Sequence, residues 1–156
     1  MKSYLKLIPW FLLSLPLVMA AQNLDTKSVV PKSLNKYSFG MSVDAFTVIN
    51  KSATLRHSSL TSRTEYQEKN PDSDIKEVTY YFDDDNNRPL YEMIIAFNDV
   101  KGLDAYCSKK LGKPDDDKQW KRITRQGYSF RAWRFGSTLV LALALPSTEW
   151  EKGWDN

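Results

Sequence analysis

Alternation of apolar and polar positions is sharpest between Glu77 and Phe97. Val78, Tyr80 and Phe82 alternate with Glu77, Thr79 and Tyr81, and Tyr91, Met93, Ile95 and Phe97 repeat the period along Leu90–Phe97. Period two is the signature of half-buried strands. The acidic stretch between them, from Asp83 through Asp84 and Asp85 to Pro89, predicts the turn of an antiparallel hairpin, because Asp and Asn tolerate turn geometry. Near the C-terminus "WKRITR", "YSFRAWRF" and "TLVLALALP" are separated by Gln126-Gly127 and Gly136-Ser137, which predicts three more antiparallel strands. In the last of these, Leu139, Leu141, Leu143 and Leu145 point one way and Val140, Ala142 and Ala144 the other. A continuous apolar run predicts a central strand buried on both faces, with its small side open to a close-packed helix.

Helical spacing occurs twice. Ser42 can cap a helix over 43–51 that carries Val43, Phe46 and Ile49, and Asp99 can cap one carrying Val100, Leu103, Cys107 and Leu111. Gly112 and Pro114 stop the second helix, and Lys109 and Lys110 suit the negative end of its dipole. Residues 52–76 are polar and give no clear period, and residues 21–36 predict a flexible lead-in. The expected fold is therefore α+β: an antiparallel sheet of about five strands with two helices packed on one face, in a single domain over 37–156.

The N-terminus changes the setting. Lys2 and Lys6 precede an apolar run from Leu7 to Met19, followed by Ala20 and Ala21, the pattern of a cleaved secretory signal over 1–20. Pro9 and Pro16 interrupt the run, so no retained transmembrane anchor is expected. Of the formal +3 charge, two lysines belong to the leader, which leaves +1 and singles out no partner by net charge. Cys107 is the only cysteine. An exported chain without an internal disulfide points to the bacterial periplasm.

Chemistry is limited by what is missing. One histidine, His57, and one cysteine are too few for a zinc site, and six scattered glycines form no phosphate loop. Asp83, Asp85 and Asn87 match the first ligands of a calcium loop, but Arg88 stands where glycine is needed and Ile94 where glutamate is needed. No metal or other cofactor is expected. Cys107 lies on an apolar stripe, and a His57-dependent hydrolase is a minor alternative.

Gly40-Met41-Ser42 before the first helix and Leu111-Gly112-Lys113-Pro114 after the second resemble small bacterial envelope proteins, those like the β-lactamase inhibitory protein and the lipoprotein of the outer-membrane assembly machine. The resemblance implies helices on an antiparallel sheet and a role in binding other proteins. The expected function is non-catalytic recognition of a protein partner in the envelope or secreted, as an inhibitor, immunity protein or accessory factor. The candidate partner-binding residues are Asp83, Asp84 and Asp85 in the acidic turn, Arg131, Trp133 and Arg134 in a basic-aromatic strand, and Trp150 and Trp154 near the end. The alternative is a small-ligand, lipid or glycan binder using Trp133, Trp150 or Trp154 as stacking platforms. Export argues against a nucleic-acid partner.

Overall fold

The computed structural model describes residues 24–57, 62–84, 87–152 and 154. The expected leader, Ser58, Ser59 and Asp85 lie outside the described residues. Strands β1 (Thr54–Arg56), β2 (Arg63–Lys69), β3 (Ile75–Asp83), β4 (Leu90–Phe97), β5 (Gln119–Ile123), β6 (Ser129–Phe135) and β7 (Thr138–Leu143) form one antiparallel sheet. Its order is β1-β2-β3-β4-β7-β6-β5. The helices are α1 (Thr26–Val29), α2 (Val43–Ile49) and α3 (Val100–Lys110), with a 3-10 turn at Lys32–Leu34. None of these helices is long and apolar enough to cross a membrane.

Two sequence expectations change. The sheet has seven strands rather than about five, because β1 and β2 come from the stretch over 52–76 that showed no period. Strand β2 reads RTEYQEK, and it is held by pairing to β3 and by one aromatic, Tyr66, whose ring packs against Phe46 and Phe82. The lead-in over 21–36 is also packed in its described part. Val29, Val30 and Leu34 are buried, and Leu24 bridges Thr124 beyond the end of β5. Polar composition concealed these few apolar anchors.

Register assigns every strand residue to a face. Val78, Tyr80 and Phe82 share one side with Met93, Ile95, Leu139, Leu141, Phe130 and Ala132. The helices cover this side. Phe46 of α2 is fully buried, with its ring centroid 4.7 Å from that of Tyr80 and 5.0 Å from those of Phe82 and Tyr37. Helix α3 places Leu103 and Cys107 in the same core, and the Tyr106 hydroxyl donates to the Val29 carbonyl at 2.8 Å. Ser42 and Asp99 accept from Ala45 N–H and Gly102 N–H, so both predicted caps form. Helix α3 ends at Gly112, whose φ of +72° is the left-handed conformation that glycine adopts without strain.

A buried carboxylate ties α2 to the sheet. Glu68 accepts from the Tyr80 hydroxyl at 2.7 Å, the Asn50 amide at 2.9 Å and the Tyr37 hydroxyl at 3.4 Å. Burial, and after it the Glu68 charge, push both phenols well above the usual tyrosine range, so they remain donors.

Phe46→Ala is expected to lower unfolding free energy by about 3–5 kcal/mol in urea titration, whereas Val48→Ala, on the exposed side of α2, changes it by less than about 0.5. Equal effects of the two substitutions would contradict the placement of α2.

Candidate functional site

The other side of the sheet carries no helix among the described residues. Its central row runs Glu65, Tyr81, Glu92, Ala142, Arg131, Lys121 across six strands, and the next runs Gln67, Thr79, Ile94, Val140, Trp133, Gln119. The small side of β7, expected to admit a helix, instead lies on this face, between Glu92 and Arg131. A C-terminal strap, residues 146–152 and Trp154, packs here. Thr148 turns it, donating to the Leu145 carbonyl at 2.8 Å.

A bulge helps hold the strap. Between the pairs Tyr81 with Glu92 and Phe82 with Leu90, β4 contains one extra residue, Tyr91. The simple alternation put Tyr91 beside Met93. The bulge frees its hydroxyl to donate to Glu149 of the strap at 3.0 Å. Arg63 closes the group, 3.1 Å from Glu65, 3.6 Å from Glu149 and with its guanidinium carbon 3.9 Å from the Tyr81 ring centroid.

Next to this polar group the strap adds aromatic contacts. The Trp150 indole N–H donates to Glu92 at 2.8 Å, and the Trp154 indole N–H donates to the Ser129 hydroxyl at 3.3 Å. Trp133 meets Trp150 and Trp154 at steep angles of 78° and 69°, with centroids 6.3 and 6.1 Å away. The two strap rings lie 4.4 Å apart at 30°. The Arg131 guanidinium carbon sits 5.1 Å from the Trp154 centroid, within cation–π range. Glu92 is only 5% exposed. Burial pushes its carboxyl up to about 7; the Trp150 hydrogen bond opposes the rise and the Glu149 charge adds to it.

Arg131, Trp133, Trp150 and Trp154 thus line one cleft of about 250 Å³ together with Gln119. Ile123 and Phe135 alternate in step with these residues on β5 and β6, and they are 50% and 59% exposed. The other predicted site residues lie elsewhere. Arg134 points to the helix side, as its even position in β6 dictates, and pairs with Asp104 of α3. Asp83 is not in a projecting turn but is buried at the end of β3, opposite Arg63. Asp84 is exposed and is tied to Thr64 and Arg88. Glu92, Tyr91 and Gln119 were missed. Glu92 interrupts the apolar run LYEMIIAF, and a carboxylate in such a run is the one signal that could have found it.

A second cleft, about 380 Å³, lies between the end of α3 and β5–β6, lined by Cys107, Lys113, Lys118, Trp120 and Arg134 among others. Its thiol does not suit nucleophilic chemistry. Cys107 is buried, and burial pushes it up to about 11. His57 is exposed at the end of β1. No group of three or more His, Cys, Asp or Glu residues able to hold a metal ion occurs among the described residues.

With a pKa near 11, about one Cys107 in a thousand is a thiolate at pH 8. Ellman's reagent is therefore expected to label the native thiol on the order of a hundredfold more slowly than free cysteine at pH 8, and to label it rapidly in denaturant. Native labelling at the rate of free cysteine would contradict the assigned burial.

No protein-family model, curated protein or solved structure matches the chain.

Proposed function

We propose that the protein is an exported, non-catalytic binding protein of the cell envelope that recognises another protein through the β5–β6 half of the helix-free face. Export rests on the leader pattern of residues 1–20. The reading shares with the envelope binding proteins that the two short motifs resemble both helices on an antiparallel sheet and a role in recognition. The observation that carries it is the shared surface of Trp133, Trp150 and Trp154 with Arg131, bordered by exposed Ile123 and Phe135.

Size favours a protein over a small molecule. Small-molecule sites usually enclose roughly 300–1,000 Å³, and the cleft offers about 250 Å³ with its indole rings engaged with one another. Half-buried tryptophans and an arginine bordered by exposed apolar side chains are instead the composition of interface hot spots. The cations on this half of the face are Lys121 and Arg131, while the strand residues beside them, Gln119, Ile123, Ser129, Trp133 and Phe135, carry no acid. An acidic partner surface with an apolar centre complements it. Of the acidic turn, Asp83 is buried and Asp84 is exposed beside Thr64 and Arg88, so the reading rests on the β5–β6 face instead.

The test is crosslinking and affinity capture from envelope fractions with wild type, Lys121→Glu, Phe135→Glu and Asp84→Ala. The expected outcome is a partner band that weakens tenfold or more in the first two variants and persists in the third. Equal capture by all four proteins removes the assignment. Saturable quenching of tryptophan fluorescence by cell-wall saccharides or phospholipid vesicles would establish the small-ligand alternative in its place.

A further inference from the structure

We infer that the C-terminal strap is a proton-controlled latch, closing on the helix-free face when Glu92 is protonated and loosening when Glu92 is ionised. As regulation of the recognition surface it rests on the proposed function. Closure itself can be read on the isolated protein, which separates failure of the latch from failure of recognition.

The argument starts from geometry. Glu92 lies in the centre of the sheet, 5% exposed, between Tyr81 of β3 and Ala142 of β7. Its hydrogen bond to the strap is a single one, from the Trp150 indole N–H at 2.8 Å. An ionised carboxylate can accept about four hydrogen bonds, so closing the strap replaces several water contacts by one protein donor. The contrast lies on the other face of the same sheet, where Glu68 has three protein donors.

The charged surroundings do not compensate. From β2, Arg63 favours ionisation but is shared with Glu65 and Glu149. From the strap, Glu149 opposes it. From β3 and β4, Tyr81 and Tyr91 have hydroxyls that burial keeps protonated. From β7, Ala142 brings no charge, and Arg131 of β6 lies beyond it in the row, under Trp154. An open strap returns Glu92 to water and to the ordinary carboxylate value.

The sign follows from linkage. The closed form holds the Glu92 proton with a pKa of about 7, against 4.5 in the open form, so closing takes up a proton. The proton-linked preference for closure is complete below about pH 4.5. It declines as pH rises through the window from 4.5 to about 7, and above 7 it is gone. Across the window the closing equilibrium weakens on the order of a hundredfold. Protonated Glu92 keeps a carbonyl oxygen to accept from Trp150, so the closed geometry survives protonation.

Opening can be followed through hydrogen exchange of the Trp150 indole N–H by NMR between pH 4.5 and 8.5, corrected for intrinsic exchange, on the full released chain. Wild type is expected to show opening that increases on the order of a hundredfold up to about pH 7 and then levels. Glu92→Gln is expected to remain closed and flat, and His57→Ala to retain the wild-type profile. A flat wild-type profile overturns the latch, as does an unchanged profile in Glu92→Gln. Should Glu92→Gln not fold, the carbon-13 titration of the Glu92 carboxyl in wild type decides. A midpoint near 7 that moves together with the Trp150 indole supports the latch, and a midpoint near 4.5 sinks it. If the latch titrates as expected while Lys121→Glu and Phe135→Glu leave capture unchanged, only the recognition reading fails.

Discussion

A sheet buried on both faces at its centre must be covered twice, and the rest of this structure follows from that constraint. Strands β4 and β7 pair along residues that are almost all buried, with Met93, Ile95, Leu139 and Leu141 on one side and Glu92, Val140 and Ala142 on the other. Helices α2 and α3 and the packed stretch around Leu34 supply the first cover. Among the described residues no helix supplies the second, and the strap after β7 lies there. A strap of this length has little apolar area to offer, and tryptophan is the residue that buries most per position. Trp150 and Trp154 together with Trp133 therefore make the second cover an aromatic one.

Glu68 is buried beneath the helices and Glu92 beneath the strap, and the two acids differ in how they are held. Glu68 is held by two tyrosines and an asparagine, all from packed elements, and ties α2 and the strands into one unit. Removing any donor leaves a buried acceptor unsatisfied. Glu92 depends on one donor from the strap, the Trp150 indole N–H. The same residue type thus meets three protein donors beneath the helices and one beneath the strap. Burial is similar for both, so the difference between them lies in the number of donors.

Much of the architecture was legible wherever burial imposes a period. The β3–β4 hairpin, the cap and stop of α3 and the strands β5–β7 follow from alternation, Asp99, Gly112 and two turn dipeptides. Strand β2 was illegible because its neighbours supply its order: its side chains are polar on both faces and even Glu68 is buried. Tyr91 was assigned to the wrong face because one extra residue in β4 reverses alternation, and a bulge leaves no mark in composition. The site was half legible. Arg131, Trp133, Trp150 and Trp154 were identified by residue type and do converge, but Arg134 was grouped with them by proximity in sequence although period two sends it to the opposite face. Of the acidic run, Asp83 still belongs to β3, buried in register with Arg63, because strand pairing extends one residue into it.

The strap and the proposed recognition surface share Trp150 and Trp154, so neither can change alone. Thermodynamic reciprocity then constrains any partner that rests on the closed indole cluster: to the extent that it prefers the closed strap, it raises the proton affinity of Glu92, and protonation of Glu92 raises its affinity by the same factor. A partner bound only to Lys121, Ile123 and Phe135, away from the strap, has no differential contact with the two states and cannot couple to the proton. The position of contact on β5–β6 therefore sets the size of the coupling. The ceiling is the strength of the latch itself, because a ligand shifts an equilibrium by no more than its differential affinity for the two states.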